Sequence, residues 1–341
     1  MRAAYYIGNG SFAIMEAPGE TVEPGCVQIE VAYTGICGTD LHIYDGDMDG
    51  RVHPPAVLGH EMSGRVYMVG PGVDGLKTGQ AVTVRPVKSC GSCAACQYGN
   101  GHICENLVFR GIDAPGSMQG LWSVPAESVV PVPSSISLRD AALVEPTAVA
   151  VHDVERAAVA LGERCVVVGG GPVGLLIALV ARVRGAEVIV VEPAAERRRF
   201  AESLEVRTVD PSSVNVAAYA RKWSGGRGAD VSFEVSGTAG GLATAAGVLR
   251  ERGRLCLVGV HAMPREVDLH LFFWRELSLV GARLYTEADF HAALAVIAAR
   301  KIPASEFISG IVPISEVADA FASLKAGGAM KILVDCQATG L

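Results

Sequence analysis

Residues that can bind a metal or carry a proton fall within one short segment near the start of the chain. The segment reads Cys37-Gly38-Thr39-Asp40-Leu41-His42 and follows an alternating run at 27–33 that predicts a strand. A thiolate can bind a metal, and the hydroxyl, carboxylate and imidazole after it can pass on a proton. The segment alone is weak support for chemistry, because a cysteine beside a glycine is more often a small buried apolar residue.

A loop rich in cysteine indicates a metal more strongly. Thiolates at short spacings within one loop can surround a single tetrahedral Zn²⁺ and leave no open position. In a chain that looks like a cytosolic enzyme, clustered cysteines favour a metal over disulfides. Two disulfides, four free thiols or an iron–sulfur cluster would use the same residues. The spacing predicts a structural zinc site formed by Cys90, Cys93, Cys96 and Cys104.

A glycine-rich turn later in the chain predicts a dinucleotide site. The apolar run at 165–169 leads into the pattern G-x-G-x-x-G, which opens a helical stretch, and Glu192 ends the next apolar run. Such glycines let the backbone approach a pyrophosphate, and the acidic residue binds the ribose hydroxyls. Glu192 favours NAD, whereas Arg197 leaves NADP possible. The residues expected to contact the cofactor are Gly169, Gly171, Pro172, Val173, Gly174, Glu192, Arg197, Ser236, Gly259 and Val260.

The elements that position these residues change in kind along the chain. Up to about residue 132, short alternating runs separated by Gly, Pro and Asp predict a β-rich barrel or sandwich-like unit. Between 164 and 281, apolar runs alternate with helical patterns, which predicts a doubly wound parallel sheet with its strands buried on both faces. Helix and strand patterns after 285 predict a tail that returns to the first unit.

Several boundaries follow from the same patterns. We expect one domain formed by 1–150 and 286–341, and a nucleotide-binding domain at 151–285. Glu145-Pro146 is expected to interrupt the helical pattern ahead of a helix at 147–160. The runs at 255–260 and 277–281 are the last two strands expected in the parallel sheet, and 277–281 is expected at its edge, where a second copy could pair.

Composition limits the class of protein. The chain has 341 residues, of which 50% are hydrophobic and 19% charged, so it is expected to fold around a large core. Its net charge of −7 argues against a nucleic-acid partner. The start lacks a secretory signal, and the apolar stretch at 165–183 is broken by a glycine turn, so no membrane span and a cytoplasmic location are expected.

Taken together, these residues resemble the zinc-dependent medium-chain alcohol dehydrogenases over essentially the whole chain. Gly59-His60-Glu61, followed by Gly64, Gly70 and Val73, fits the zinc signature of that family, and the four-cysteine loop fits its structural zinc. The resemblance implies an α/β fold with a Rossmann domain inserted in a GroES-like β-rich catalytic domain. It also implies two zinc ions per chain and a homo-oligomer, either a dimer or a tetramer.

The resemblance assigns the metal ligands. Cys37 and His60 match two ligands of the family's catalytic zinc. Glu145 stands where other members carry a second cysteine, in a motif that looks like that of the polyol branch, which includes sorbitol and 2,3-butanediol dehydrogenases. Glu61 and Glu145 are therefore both candidates for the third ligand.

The resemblance also implies a path for the proton. Thr39 would take the proton of the substrate hydroxyl, and His42 would receive it through the cofactor ribose and release it to water. Asp40 would orient a ligand histidine.

The reaction implied is hydride transfer between a secondary alcohol or polyol and NAD(P), which gives a ketone. L-Threonine 3-dehydrogenase is an enzyme alternative, and a nucleotide-binding protein with only the structural zinc is the alternative without catalysis. The acid-rich loop at 45–50 would favour neutral polyols if it touches substrate. Side chains expected near the substrate are Tyr44, Phe109, Arg110, Trp122, Arg283 and Tyr285.

Overall fold

A computed structural model describes residues 1–17, 21–327 and 329–338. The chain forms two compact units, one from Met1–Glu145 with Thr286–Leu341 and the other from Pro146–Tyr285. The strands are β1 (Arg2–Gly8), β2 (Ser11–Glu16), β3 (Cys26–Gly35), β4 (Ala56–Val57), β5 (Glu61–Val69), β6 (Ala81–Val84), β7 (Val87–Lys88), β8 (Val108–Phe109), β9 (Leu121–Pro125), β10 (Val129–Pro131), β11 (Arg164–Val168), β12 (Glu187–Val191), β13 (Arg207–Val209), β14 (Ala229–Glu234), β15 (Leu249–Leu257), β16 (Ser278–Gly281), β17 (Ile308–Pro313) and β18 (Lys331–Asp335). The α-helices are α1 (Gly38–Tyr44), α2 (Ala94–Gln97), α3 (Leu138–Ala141), α4 (Val144–Arg156), α5 (Pro172–Val183), α6 (Ala195–Ser203), α7 (Val216–Trp223), α8 (Ala239–Gly247), α9 (Leu269–Arg275), α10 (Glu287–Ala298), α11 (Ala304–Phe307) and α12 (Val317–Lys325).

The first unit is built on a mixed sheet with the order β10-β6-β5-β3-β18-β17, to which β9 adds by pairing with β3. β3 alternates buried valine and isoleucine side chains, as the two-residue period of a half-buried strand requires. It pairs antiparallel with β5 on one side and with β18 on the other. A strand from the end of the chain therefore lies beside one from its start.

The second unit is a parallel six-stranded sheet with the order β13-β12-β11-β14-β15-β16. β12 and the first strand, β11, are buried along almost their whole length, which confirms the expected doubly wound sheet. The strand order reverses between β11 and β14. The carboxyl ends of those two strands form the switch point at which such sheets bind their ligands.

The last two strands of this sheet differ from the prediction. β15 begins at Leu249 rather than at 255 and ends at Leu257, because its first half contains a bulge where Arg252 has a left-handed φ of +57°. Arginine and glutamate around that bulge hide the strand from a search for apolar runs. β16 is not buried on both faces: Leu279 is 46% exposed, since the strand lies at the edge of the sheet.

The predicted interruption at Glu145-Pro146 is wrong. Helix α4 begins at Val144 and includes both residues in its first turn. A proline is accepted there, because the first N–H groups of a helix have no intrahelical acceptor. The predicted domain boundary after residue 150 falls inside this helix, whereas the chain passes from the first compact unit to the second between Glu145 and Pro146.

The helices of the described ranges are too short, or too polar, for any of them to cross a bilayer.

Candidate metal centres and cofactor site

Three side chains that can bind a metal meet where β3 ends and β5 begins. Cys37 follows β3 at the N-cap of α1, His60 precedes β5, and Glu61 is the first residue of β5. One ligand atom from each of the three lies within 4.8 Å of the others. Zinc bonds of about 2.0–2.3 Å place neighbouring ligand atoms roughly 3.3–3.8 Å apart, so the three need only small movements to share one ion.

Glu145, the other candidate for the third ligand, is placed differently. It lies in the first turn of α4 with only 4% of its surface exposed. Among the described residues, the group of mutually close ligand atoms contains Glu61 and does not contain Glu145. Glu145 is nonetheless close enough to help raise the pKa of His60.

A buried lysine that sequence reasoning missed completes this region. The Nζ atom of Lys331 donates to both carboxylate oxygens of Glu61, at 2.8 and 2.5 Å, and to the carbonyl oxygen of Ile36 at 3.0 Å. Burial alone would lower the pKa of Lys331, but Glu61 and Cys37 raise it above its ordinary value. Its two contacts to the Glu61 carboxylate have the geometry of a buried ion pair. The one signal in the sequence is a lysine at the head of an apolar run.

A glycine in the strand between them lets Glu61 and Lys331 meet. Gly35 of β3 pairs with Glu61 of β5 on one side and with Leu333 of β18 on the other. A Cβ added to Gly35 would lie 2.4 Å from Oε2 of Glu61 and 3.4 Å from the Lys331 side chain. The missing side chain thus leaves the space in which an acid and a base from two different strands form their ion pair.

The charges around the three ligands favour a cation. Burial alone would lower the pKa of His60, but Asp40 and the Cys37 thiol, with further acidic neighbours, raise it well above its usual value. The groups that raise this pKa are acidic, so the surroundings of His60 carry negative charge. The thiolate, imidazole and carboxylate donors found here are those that zinc prefers, so the residues fit the metal that the family implies.

Asp40 lies where an orienting carboxylate is needed. It is fully buried, and its Oδ2 atom accepts the backbone N–H of Cys37 at 2.8 Å. Its Oδ1 atom lies 3.7 Å from Nδ1 of His60. Asp40 therefore contacts both of the residues that the sequence marks as metal ligands. Ligating histidines generally have such a partner, which sets the orientation of the ring.

The two residues of the expected proton path occupy one face of α1. Thr39 is partly exposed in the first turn, next to Asp40. His42 lies three residues further on, is half-exposed, and its Nδ1 atom is 2.9 Å from Oδ2 of Asp47. Positions three apart on a helix lie on the same side, so the sequence spacing is compatible with transfer from one residue to the other.

The four-cysteine loop has the dimensions of a zinc site. One sulfur atom of each cysteine lies within 4.8 Å of the others, and Sγ of Cys93 is 3.5 Å from that of Cys96 and 3.7 Å from that of Cys104. A tetrahedron of sulfurs at about 2.3 Å from zinc has edges near 3.8 Å. Disulfide sulfurs are only about 2.05 Å apart, and all four cysteines are free.

Backbone N–H groups already point at these sulfurs. The amides of Cys93 and Cys90 donate to Cys90 Sγ and Cys104 Sγ at 3.4 and 3.3 Å. Hydrogen bonds from the backbone at Ser92 and Cys93 lower the pKa of the Cys90 thiol to about 5, whereas burial raises that of Cys96 to about 11. The loop thus stabilises thiolate at one corner and leaves another to be deprotonated by the metal itself.

The glycine-rich turn sits at the switch point of the parallel sheet. Gly169 has a φ of +111°, which favours glycine, and a Cβ added to it would lie 3.1 Å from the backbone nitrogen of Ser236, just after β14. A Cβ on Gly174 would lie 1.9 Å from the carbonyl oxygen of Gly169. At Gly171, the N-cap of α5, an added Cβ would meet only the tip of Arg197 at 4.0 Å. Pro172 and Val173 are the first residues of α5. The space above the helix N-terminus is therefore open, as a pyrophosphate requires.

Glu192 faces this turn from the end of β12. Its carboxylate accepts the backbone N–H groups of Gly170 at 2.7 Å and Ala194 at 2.8 Å, and it is 4% exposed. Nη1 of Arg197 lies 4.0 Å from the same carboxylate. The next arginine, Arg198, is not a solvated side chain: it donates to the carbonyl oxygen of Glu192 and pairs with Asp210.

The remaining cofactor residues lie at the ends of β14 and β15. Ser236 donates from its backbone and its hydroxyl to the buried carboxylate of Glu234. The Gly259 N–H donates to the carbonyl oxygen of Glu234 at 2.8 Å. Val260 is 75% exposed. Both loops are thus tied to Glu234, which the sequence did not single out.

The residues expected near the substrate separate into different environments. The Phe109 ring packs edge-on against His60, with 5.0 Å between centroids. Tyr44 lies in an aromatic cluster, 5.2 Å from the ring of Phe321. Trp122 is 3% exposed and donates from Nε1 to a carbonyl oxygen at 3.0 Å. In the second unit Arg283 is exposed and Tyr285 is buried. Arg110 is buried and lines a cavity.

Comparison with known proteins agrees with this geometry. Residues 23–134 match the alcohol dehydrogenase GroES-like domain, and residues 172–299 match the zinc-binding dehydrogenase domain. The chain is 46% identical to 2-dehydro-3-deoxy-L-galactonate 5-dehydrogenase of Pseudoalteromonas atlantica, over 99% of each chain. It is 33% identical to sorbitol dehydrogenase of Halalkalibacterium halodurans, over 96% of each chain. A zinc-binding dehydrogenase from Sinorhizobium meliloti, solved with NADP, superposes with a TM-score of 0.92 at 29% identity over 98% of each chain.

These matches decide between the functional alternatives. The similar proteins are named dehydrogenases of polyols and sugars, so the chain is an oxidoreductase and the alternative without catalysis is wrong. They lend no support to L-threonine 3-dehydrogenase. The chain belongs to the zinc-binding medium-chain dehydrogenases, in the branch that acts on polyols and sugars.

Proposed function

We propose that this enzyme oxidises one secondary hydroxyl of a polyhydroxylated sugar acid to a ketone, with zinc held by Cys37, His60 and Glu61 and with NAD as the preferred hydride acceptor. The observation that carries the proposal is the group of ligand atoms, one from each of these residues, within 4.8 Å of one another. Glu145 is the alternative third ligand, because it is buried and contributes to the same electrostatic environment.

Zinc bound by these residues supplies a Lewis acid that lowers the pKa of an alcohol hydroxyl. Asp40 orients the site through the Cys37 N–H and the ring of His60. Phe109 packs its ring against His60 and keeps water from that side. Lys331 balances the charge of Glu61 and holds that carboxylate in one position.

We assign the departing proton to Thr39 and then to His42. The two residues lie three apart on α1, with Thr39 nearer the ligands and His42 at the surface. Nδ1 of His42 lies 2.9 Å from Oδ2 of Asp47, so the imidazole has a carboxylate partner at the surface, where a proton can leave to water.

NAD is preferred over NADP because Glu192 is buried and fixed by two backbone N–H groups. A carboxylate held in that position accepts hydrogen bonds from ribose hydroxyls and repels a phosphate. Arg197, which lies beside it, is the residue through which NADP could still bind. The structural zinc is assigned to Cys90, Cys93, Cys96 and Cys104, which gives two zinc ions per chain.

An acidic substrate is proposed because the relative that is 46% identical is named 2-dehydro-3-deoxy-L-galactonate 5-dehydrogenase, and that compound is a sugar acid. The acidic residues at 45–50 would repel an acidic substrate, but this repulsion is weaker than their number suggests. Asp45 is balanced by Lys325, and Asp47 accepts a contact from the ring of His42, so two of the loop's three carboxylates have a side-chain partner. The charge of the loop therefore does not exclude a substrate with a carboxylate.

A homo-oligomer is proposed from the edge of the parallel sheet. β16 is the outer strand, and Leu279 on it is 46% exposed. Phe273 and Trp274 of α9, just before it in the chain, are 74% and 68% exposed. A second copy that pairs along β16 would cover these side chains and remove the edge. The cytoplasmic location stays a prediction.

The test is a substrate screen joined to metal analysis. Sugar acids, polyols, diols and L-threonine are offered with NAD and with NADP, and nicotinamide absorbance is followed. We expect turnover of a polyol or sugar acid with NAD, two zinc per chain, and one zinc per chain in Cys37→Ser. Full zinc content in Cys37→Ser, or activity with L-threonine alone, would contradict the proposal.

A further inference from the structure

A second site in the first unit has the character of an anion pocket. A cavity of about 460 Å³ lies beside the loop that follows β8. Cavities of this volume hold small organic ligands. Trp122 and Leu121 supply part of an apolar wall, and Arg110, Arg51 and Ser123 supply polar groups. Among the described residues, none of the metal-ligand candidates lines it.

Arg110 is the unusual member of this lining. Its side chain is only 8% exposed, and its buried Nη1 atom has no hydrogen-bond acceptor among the described residues. The hydroxyl of Ser123, on the same cavity, is likewise buried without a partner in that part of the chain. Burying a cation with an unmatched donor is strongly unfavourable, so this guanidinium needs an acceptor that the described residues do not supply.

The strand geometry separates this pocket from the metal ligands. Phe109 and Arg110 are neighbours in the chain, and successive side chains of an extended segment point to opposite sides. The ring of Phe109 packs against His60, whereas Arg110 lines the cavity. The segment 109–110 therefore has the metal site on one side and the pocket on the other.

A chain of contacts joins the two sides. Arg51, at the pocket, donates from Nε and Nη2 to the two carboxylate oxygens of Asp113, each at 2.7 Å. Oδ2 of Asp113 also accepts the backbone N–H of Phe109 at 2.8 Å. An anion that draws Arg51 toward it would act on Asp113, and through it on the residue packed against His60.

We propose that this pocket binds the oxyanion of a sugar-sized organic acid, with Arg110 as the principal donor and Ser123 and Arg51 as supporting donors. A guanidinium matches the geometry of a carboxylate or a phosphate with paired hydrogen bonds. The indole of Trp122 offers a flat wall for the carbon chain of such an acid. The acid is a separate effector, because the metal ligands lie on the other side of segment 109–110 and do not line this cavity.

Binding is measured without turnover, so the result does not depend on the proposed reaction. The probes are D-gluconate, inorganic phosphate and neutral D-glucitol, added at constant ionic strength to the zinc-loaded enzyme and followed by calorimetry and by thermal unfolding. The variants are Arg110→Met and the control Arg199→Met, which removes an arginine that is 69% exposed on α6. We expect at least one of the two anions to bind the wild type and the control. The affinity of that anion should fall about 10- to 100-fold in Arg110→Met. The wild type should bind neutral D-glucitol no more tightly than Arg110→Met binds the anion.

A stability measurement separates a ligand-binding arginine from a structural one. Without an added anion, Arg110→Met should unfold at a temperature no lower than the wild type, since it removes a buried charge that lacks its partner. A clear drop in that temperature would show that Arg110 is structural and would overturn the inference. Equal binding of the anions by Arg110→Met and the wild type, or no binding by the wild type, would overturn it as well.

The source of the anion is read from kinetics. A rise of about 10-fold or more in KM for a sugar acid in Arg110→Met, with KM for the matching neutral polyol unchanged, would show that the substrate supplies the carboxylate and would overturn the assignment to an effector. If a separate effector supplies the anion, Arg110→Met changes KM for the acid and KM for the polyol by the same factor relative to the wild type. In that case added D-gluconate or phosphate changes the rate with the neutral substrate in the wild type only.

Discussion

Replacing Lys331 by methionine tests the reasoning about the buried ion pair. Lys331 is 3% exposed and Glu61 1%, and three hydrogen bonds hold the ammonium. Removing one partner of a buried pair leaves an uncompensated charge, which costs about 3–5 kcal/mol of unfolding free energy. For a unit of about 200 residues, each kcal/mol shifts Tm by roughly 2–4 °C, so Tm should fall by about 6–20 °C.

An exposed ion pair provides the matched control. Lys325 pairs with Asp45, and their side chains are 43% and 39% exposed, so Lys325→Met should cost less than about 1 kcal/mol. The double variant Lys331→Met/Glu61→Gln should recover stability relative to Lys331→Met alone, because it leaves no buried charge unpaired.

The assay is urea unfolding of the four variants and the wild type, Glu61→Gln being the fourth, with the zinc content of each measured beforehand. Zinc content separates loss of metal from loss of the ion pair. Equal costs for Lys331→Met and Lys325→Met, or a double variant no more stable than Lys331→Met, would refute the argument.

Three further predictions concern the catalytic path, the structural zinc and the cofactor turn. Thr39→Ala and His42→Ala should each slow hydride transfer at pH 7, by about 100-fold or more for Thr39→Ala. The rate is measured by stopped-flow absorbance, and near-wild-type rates in both variants would exclude the relay. Cys104→Ser should lower zinc from two to one per chain by mass spectrometry and lower Tm, while a retained second zinc would show that three thiolates suffice. Gly174→Ala should weaken NADH binding by at least 10-fold in a fluorescence titration, because its Cβ would lie 1.9 Å from a backbone oxygen; Gly247→Ala, on α8 with nothing within 4 Å, is the control and should bind normally.

Sequence reasoning succeeded where the chemistry is local in the chain. The four cysteines lie within one loop, and the glycines of the turn lie between a strand and a helix, so spacing alone is enough to predict that they cooperate. The strands β11 and β12 were predictable because both faces are covered, which makes them continuous apolar runs.

It failed where the outcome depends on contacts between distant segments. Lys331 lies 270 positions from Glu61, and only the pairing of β18 with β3 brings them together. The choice between Glu61 and Glu145 depends on where two buried carboxylates point, which no spacing encodes. The first half of β15 was not predicted as a strand, because its bulge and its charged residues break the apolar pattern.

The pairing of β18 with β3 also has a consequence for synthesis of the protein. At about 5–20 residues per second, a ribosome makes Lys331 roughly 15–55 s after Glu61, which it follows by 270 positions. The whole second unit is translated in that interval and can close its own parallel sheet. The end of β3 at 33–35, which β9 does not cover, meanwhile presents an open edge to other nascent chains, with a carboxylate beside it that has not yet met its lysine. β18, which leaves the ribosome after the whole second unit, therefore both closes that edge and neutralises Glu61.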